Sequence, residues 1–216
     1  MWAVVPLKPP SLAKSRLAAV LTPDQRRTWF FHMAQRAIDA LRATRGVERV
    51  VVITADAEVA RFAQQHGAMV LAESRADGTS QAFATALAQL RSPSLRGVLM
   101  MAGDLPLVSS RALETLVDAA SRHEVVIVPD RLQRGTNALV CSPADAIPPC
   151  FGDDSYARHL AAARAARRSY CTLQLEALAL DIDVPADIER LYRDHAGLTT
   201  GLPLPAEVAT ATRDAA

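Results

Sequence analysis

Lysine is almost missing from this chain. Of 24 basic residues in 216, only Lys8 and Lys14 are lysines, which leaves 22 arginines. Cysteine is scarce too. Cys141, Cys150 and Cys171 are too few and too scattered for a disulfide framework, no C-x-x-C pair suggests zinc, and they read as small buried or half-buried thiols. No apolar run approaches the ~20 residues that a bilayer-spanning helix needs. The opening residues lack the layout of a signal peptide, because Pro6, Lys8, Pro9 and Pro10 interrupt them at once, so a cytoplasmic location is the default expectation. Neither sign of charge is in excess: the formal net charge is +1. Nothing global points to nucleic acid or a membrane as a partner, and any anion must be gripped locally. Neither G-x-x-x-x-G-K-[ST] nor G-x-G-x-x-G occurs, which argues against a P-loop ATPase and a nicotinamide enzyme. The five histidines show no metal spacing, and no local Ser-His-Asp or Cys-His pattern stands out.

What is present is a regular alternation. Half of the residues are hydrophobic, and the length suits one well-buried core, a single domain over 1–196. Short apolar segments at 2–7, 49–54, 68–73, 97–106, 124–130, 136–142, 170–175 and 178–183 read as strands. Between them lie helical patterns over about 23–45, 56–66, 78–91, 109–122, 154–168 and 186–195. Thr22 before Pro23 and Asp24 is an N-terminal helix signature. Trp29, Met33, Ala37 and Leu41 then repeat along one face until Gly46 stops the helix. Strands that are apolar throughout, alternating with helices, predict an α/β fold: a mostly parallel sheet covered on both faces. From Gly197 onward the periodicity fades, so 197–216 is expected to be a flexible tail. Oligomeric state is not written in the sequence, and a homodimer built on that last segment stays open.

In such sheets ligands bind at the carboxyl ends of the strands. Three sequence features fall there. The loop 8–16 after the first strand carries Lys8, Lys14, Ser15 and Arg16 on a path that its prolines keep non-helical, suiting an anionic polyphosphate. Lysine offers a compact charge on a flexible stem, where arginine offers a rigid fork. The strand ending in M-A-G-D-L-P places Asp104 at the sheet rim, where an unpaired carboxylate is costly and a divalent metal is a natural partner. Along L-D-I-D-V-P, Asp181 and Asp183 lie two residues apart near the end of an expected strand, and one of them is expected to join Asp104. Asp183, nearer the strand end, is the better candidate. Two carboxylates from separate strand ends suit Mg²⁺, which keeps waters and bridges substrate phosphates. Asp187 fits the first turn of the last helix through the helix dipole. Thr136 and Asn137, with Gly152 and Ser155 where a loop enters a helix, suit a second phosphorylated substrate.

Taken together, P-L-K-x₅-A-K-S-R-L-A at 6–18, G-D-L-P at 103–106, P-D…G-T-N-A-L at 129–139, F-G-x-x-S at 151–155 and L-D-I-D-x-P-x-D at 180–187 resemble the 2-phospholactate guanylyltransferase family. The resemblance covers about 1–190, in order. It implies a three-layer α/β/α nucleotide-diphospho-sugar transferase fold. It also implies transfer of GMP from GTP to a phosphorylated three-carbon acid (2-phospholactate, phosphoenolpyruvate or 3-phosphoglycerate) with release of pyrophosphate, in the biosynthesis of a deazaflavin coenzyme. Carried onto this sequence, it assigns Lys8, Lys14, Ser15 and Arg16 to the nucleotide phosphates, with Lys14, Arg16 and Asp104 catalytic. Asp104 and Asp183 become the metal ligands, and Asn137, Gly152 and Ser155 the acceptor site. Thr79-Ser80-Gln81-Ala82 stands where many members have Leu-Asn-x-Ala against the nucleoside. Ser80 is the nucleoside candidate there, and selection of guanine is less marked than the chemistry. Val184-Pro185 replaces the usual Thr-Pro, which should leave Asp183 in place. The competing readings are a cytidylyl- or molybdopterin-type nucleotidyltransferase of the same fold, and a nucleotide-binding domain without catalysis.

Overall fold

A computed structural model describes residues 1–73, 78–90 and 95–203. Seven strands form one sheet: β1 (Trp2–Pro6), β2 (Arg49–Thr54), β3 (Met69–Ala72), β4 (Val98–Met101), β5 (Val125–Pro129), β6 (Thr136–Cys141) and β7 (Tyr170–Thr172). Their order is β3-β2-β1-β4-β6-β5-β7. Every pairing is parallel except those of β6, which runs antiparallel to both β4 and β5. The chain steps from β1 outward through β2 and β3, then returns to set β4 on the other side of β1. The carboxyl ends of β1 and β4 therefore flank a topological switch point, where a crevice opens.

Among the described residues seven helices flank the sheet: α1 (Pro23–Ala43), α2 (Ala57–Gln65), α3 (Thr79–Gln89), α4 (Ser110–Ala119), α5 (Ser155–Ala165), α6 (Glu176–Ala179) and α7 (Pro185–Asp194). The period of two along each strand divides the core. Ala3, Val5, Val50, Val52, Leu99 and Met101 pack against α1, α2 and α4 through Ile38, Leu41, Val59 and Leu116. Val4, Val51, Ile53, Val98 and Met100 face the other way, onto Phe83 and Ala86 of α3 and Ala163 of α5. α1 begins with a complete capping box: the Thr22 hydroxyl accepts from the Gln25 amide and the Gln25 side chain accepts from the Thr22 amide.

A third, smaller cluster positions the site. Leu17 and Leu21, from the turn after β1, pack with Trp29 and Met33 of α1, with Leu180 and Ile182, and with Ile188 and Leu191 of α7. It ties the loop after β1 to the segment around 180–184, which are remote in sequence. The start of the expected tail reaches the same packing through Leu202. Leu202 is buried, the Trp29 indole donates to the Pro203 carbonyl at 3.0 Å, and the Tyr192 hydroxyl donates to that of Leu202 at 3.0 Å. The remainder of that segment, 204–216, lies outside the described residues.

Two expectations about strands need correction. The segment 178–183 is not a strand: its first residues close α6, and 180–184 runs extended without a sheet partner. The Ile182 amide ties its middle to the turn after β4, donating to the Asp104 carbonyl at 3.3 Å. β4 also stops at Met101, well before Pro106. The chain turns away at Gly103, where a Cβ would lie 2.5 Å from Leu7 Cδ2 and 3.1 Å from Val5 Cγ1. Only glycine lets the backbone approach β1 that closely.

Candidate active site

A cleft of about 790 Å³ opens over the carboxyl ends of β1 and β4. Its first wall is the loop after β1. Pro9 accepts turn-closing bonds from the Leu12 and Ala13 amides, and Lys14 then adopts a left-handed conformation (φ 57°) before a short 3-10 turn over Ser15–Ala19. Leu17 anchors that turn in the third cluster, which leaves Lys8, Lys14, Ser15 and Arg16 lining the cleft. Lys8, Ser15 and Arg16 are exposed.

Lys14 points inward. Its Nζ donates to Asp104 Oδ2 at 2.5 Å and to Asp183 Oδ1 at 3.3 Å, and the side chain is only 6% exposed. Burial works against the charged ammonium, but Asp104 and then Asp183 outweigh it and hold its pKa above the usual lysine value. The two carboxylates are 30% and 51% exposed, so they reach the cleft as well as the lysine. Asp104 is delivered by the Gly103 turn. Asp183 is delivered by Asp187, whose Oδ2 accepts from the Asp183 amide at 3.0 Å and the Val184 amide at 2.9 Å. Asp187 is thus a hydrogen-bonding cap at the start of α7, a closer role than the helix-dipole one inferred from sequence.

Asp181 lines the same cleft as Asp183. Residues two apart on an extended segment share a face, while Ile182 between them is buried on the other side. Burial, then the charges of Asp104 and Asp183, push the Asp181 carboxyl up to about 7. Among the described residues, no three aspartate, glutamate, histidine or cysteine side chains form a metal-ligating group. The acidic pair Asp104–Asp183 therefore fits a cation that takes two carboxylates and fills its shell with water and phosphate oxygens, as Mg²⁺ does. It does not fit a closed protein cage.

The second wall comes from the β5–β6 connection and the loop before α5. Because β6 is antiparallel, its first residues, Thr136 and Asn137, lie at the carboxyl edge of its neighbours and so enter the cleft. The Asn137 amide group is already committed, donating to the carbonyls of Leu178 (2.9 Å) and Ala179 (3.3 Å). Gly152 (φ 107°) and the buried Ser155 line the cleft too, but the Ser155 amide donates to Gly152 O and the Tyr156 amide to Arg134 O. Two amides counted on for phosphate at this helix start are therefore used within the protein. The Ser80 hydroxyl donates to the Phe151 carbonyl at 2.8 Å, and Ser80 does not line the cleft, whereas its neighbour Thr79 does. Two cations on this wall, Arg131 and Arg134, escaped the sequence reading. They flank a turn held by Asp130, whose carboxylate accepts from the Arg134 and Gly135 amides at 2.9 and 2.8 Å. An Asp followed by Arg-x-x-Arg-Gly between two strands was the available signal.

Behind this wall sits His159, fully buried. Its Nε2 accepts from the Cys150 amide at 2.8 Å, so Nδ1 carries the proton and donates to Thr136 Oγ1 at 2.9 Å. Phe151 meets the imidazole edge-on at 4.9 Å. One neutral histidine thus ties β6 to the loop that carries Phe151 and Gly152.

An open sheet with a cleft at its switch point, two acidic side chains at the floor and cations on both walls is the arrangement of a nucleotide-handling α/β protein. The fold is that of the nucleotide-diphospho-sugar transferases: a solved protein of that description from Desulfovibrio desulfuricans G20 superposes with a TM-score of 0.73, covering 99% of this chain and 94% of that one, at 17% identity. The chain belongs to the family described as guanylyl transferase CofC like, whose model matches residues 1–198, and it is a nucleotidyltransferase. A relative named phosphoenolpyruvate guanylyltransferase, from Sphaerobacter thermophilus, is 38% identical over 189 residues, 88% of this chain and 91% of the relative. Rv0371c from Mycobacterium tuberculosis H37Rv, solved in complex with manganese, has a TM-score of 0.56 at 19% identity, covering 89% of this chain and 98% of that one. No described helix is long and apolar enough to cross a membrane.

Proposed function

We propose that the protein transfers GMP from GTP to a phosphorylated three-carbon acid, with phosphoenolpyruvate the first candidate and 2-phospholactate and 3-phosphoglycerate the others, releasing pyrophosphate in the making of a deazaflavin coenzyme. The observation that carries this reading is the convergence of Lys14, Asp104 and Asp183 on one point at the cleft floor, between a cationic loop and a second cationic wall. The relatives named phosphoenolpyruvate guanylyltransferase support the choice of substrates.

In this reading Lys8, Lys14, Ser15 and Arg16 bind the triphosphate, and Gly78 and Thr79 lie on the nucleoside side. Arg131 and Arg134, with the backbone around Gly152 and the Ser155 hydroxyl, bind the acceptor, and Asn137, its amide donated to the Leu178 and Ala179 carbonyls, positions that wall. Its carboxylate and phosphate call for guanidinium forks, since two of the nearby helix-start amides are already engaged. Asp104 and Asp183 would hold the divalent cation, taken as Mg²⁺, which when bound neutralises charge on the phosphates. The attacking group is an acceptor phosphate oxygen, already ionised at neutral pH, so no side chain need act as general base. It adds in line to the α-phosphorus as the bond to pyrophosphate breaks. Arg16 and Lys14 offset the charge that develops on the leaving group, and the two walls set the line of attack.

The test is a panel of each nucleoside triphosphate against each three-carbon phosphoacid, read by pyrophosphate release, with Asp104→Asn as the control. GTP with one of the three acids should give turnover, and Asp104→Asn should lose at least about a hundredfold of it while keeping the wild-type fold by far-UV circular dichroism. Turnover with CTP alone would replace guanylyl by cytidylyl transfer. Near-normal rates in Asp104→Asn would remove the metal role.

A further inference from the structure

Two roles meet at one atom of the cleft floor, the Lys14 Nζ. Lys14 is to touch the nucleotide phosphates and the two aspartates are to hold a cation, yet here the lysine ammonium occupies the point at which those aspartates meet. We propose that Lys14 and a divalent cation compete for Asp104 and Asp183, so that the ammonium is a resident counter-ion that must swing out before the cation is held, and swings toward the nucleotide phosphates. This rests on the reading of Asp104 and Asp183 as metal ligands.

Geometry makes the two occupants exclusive. The shared point lies 2.5 Å from an Asp104 oxygen and 3.3 Å from an Asp183 oxygen, and Nζ fills it. A cation bridging the same oxygens at about 2.1 Å would sit against the ammonium, like charge on like charge, in a niche where the lysine is 6% exposed. The loop allows the exchange without moving its frame. Leu17, three residues on, stays locked in the third cluster, and the left-handed conformation at Lys14 aims a flexible four-carbon stem across the cleft floor. Lys8 and Arg16 already face the cleft and gain nothing by moving. The functional consequence is order. The resident ammonium keeps the free protein's hold on a metal weak, and a nucleotide phosphate that offers Lys14 a new partner strengthens it.

The experiment needs no turnover. Mn²⁺ binding is measured by the loss of its free paramagnetic signal, without nucleotide, for the wild type, Lys14→Met and Lys14→Met/Asp104→Asn. Lys14→Met should bind Mn²⁺ about tenfold or more tightly than the wild type, and the double variant should lose that gain. A second readout uses the wild type itself and so survives a variant that fails to fold. With only two lysines, acylation of amines followed by mass spectrometry gives each a separate rate. Exposed Lys8 should label fast throughout, while Lys14 should be protected without metal and label several-fold faster at saturating Mn²⁺. Equal Mn²⁺ affinity in wild type and Lys14→Met, or a Lys14 that stays protected at saturation, overturns the exchange and leaves the metal site standing. Failure of every protein to bind Mn²⁺ overturns the metal site and the exchange together.

Discussion

The imidazole of His159 makes stability pH-dependent in a calculable way. In the folded protein its Nε2 accepts from Cys150 and its Nδ1–H donates to Thr136, so a second ring proton would point at an N–H donor. Burial, followed by the charge of Arg158, lowers its pKa from 6.5 to about 4. The unfolded chain therefore binds a proton over this range that the folded chain refuses, and stability rises with pH across it. The contribution is complete above about pH 7, falls as pH drops through 6.5, and is gone below about 4. The gap between 6.5 and about 4, at about 1.4 kcal/mol per pH unit, is worth up to about 3 kcal/mol. Urea unfolding at about pH 7.5, 6.5, 5.5 and 4.5 measures it, with His159→Gln as the reference that cannot titrate. Subtracting the two removes the carboxylates common to both. The wild type should lose about 2–3 kcal/mol more than the variant by about pH 4.5. Should the variant not fold, ring-carbon chemical shifts of the wild-type histidine should show it neutral down to about pH 5. Parallel stability curves, or a histidine that titrates near 6.5, would refute the buried neutral imidazole and with it the tether between β6 and the Phe151 loop.

Two other perturbations separate the walls of the cleft from its floor. Arg131→Ala and Arg134→Ala should each raise the acceptor KM about tenfold, or about 1.4 kcal/mol, with the GTP KM nearly unchanged. A rise in the GTP KM instead would place these guanidiniums on the nucleotide. Asp187→Ala removes the acceptor of the Asp183 and Val184 amides and should cost about 1–2 kcal/mol in a thermal melt, with a larger fall in turnover as Asp183 loses its hold. Asp187→Asn, which keeps an acceptor oxygen, should recover most of the stability, and a wild-type melt for the alanine variant would show that the cap carries nothing.

Much of this protein is written locally, and the rest is not for identifiable reasons. Thr22-Pro23 with Gln25 starts a helix by its own hydrogen bonds, and R-V-V-V-I-T at 49–54 is a strand by composition, so both were legible. The direction of β6 was not. Whether a strand runs parallel or antiparallel depends on where its neighbours lie, and here that direction brings Thr136 and Asn137 to the ligand edge. The segment 178–183 has the composition of a strand but pairs with neither edge strand, β3 or β7; the hydrophobic cluster of Leu17, Ile182 and Ile188 takes it instead. That packing sets the site, because the segment buries Ile182 in the cluster and leaves the two flanking aspartates lining the cleft.

The scarcity of lysine sharpens what Lys14 does. A chain with 22 arginines has ready access to that side chain, yet the point between Asp104 and Asp183 is filled by lysine. A guanidinium would suit a static bridge: its fork pairs edge-on with one carboxylate, spreads its charge over a plane, and is slow to give up two parallel hydrogen bonds. An ammonium is a single point that two converging oxygens can share and that one rotating stem can withdraw. The niche is narrow, with the lysine 6% exposed while both carboxylates remain open to the cleft, so the anions stay available when their cation leaves. A residue chosen only for stability would be the better-anchored arginine. One that must yield the same oxygens to another cation, and then follow a phosphate, has to be lysine.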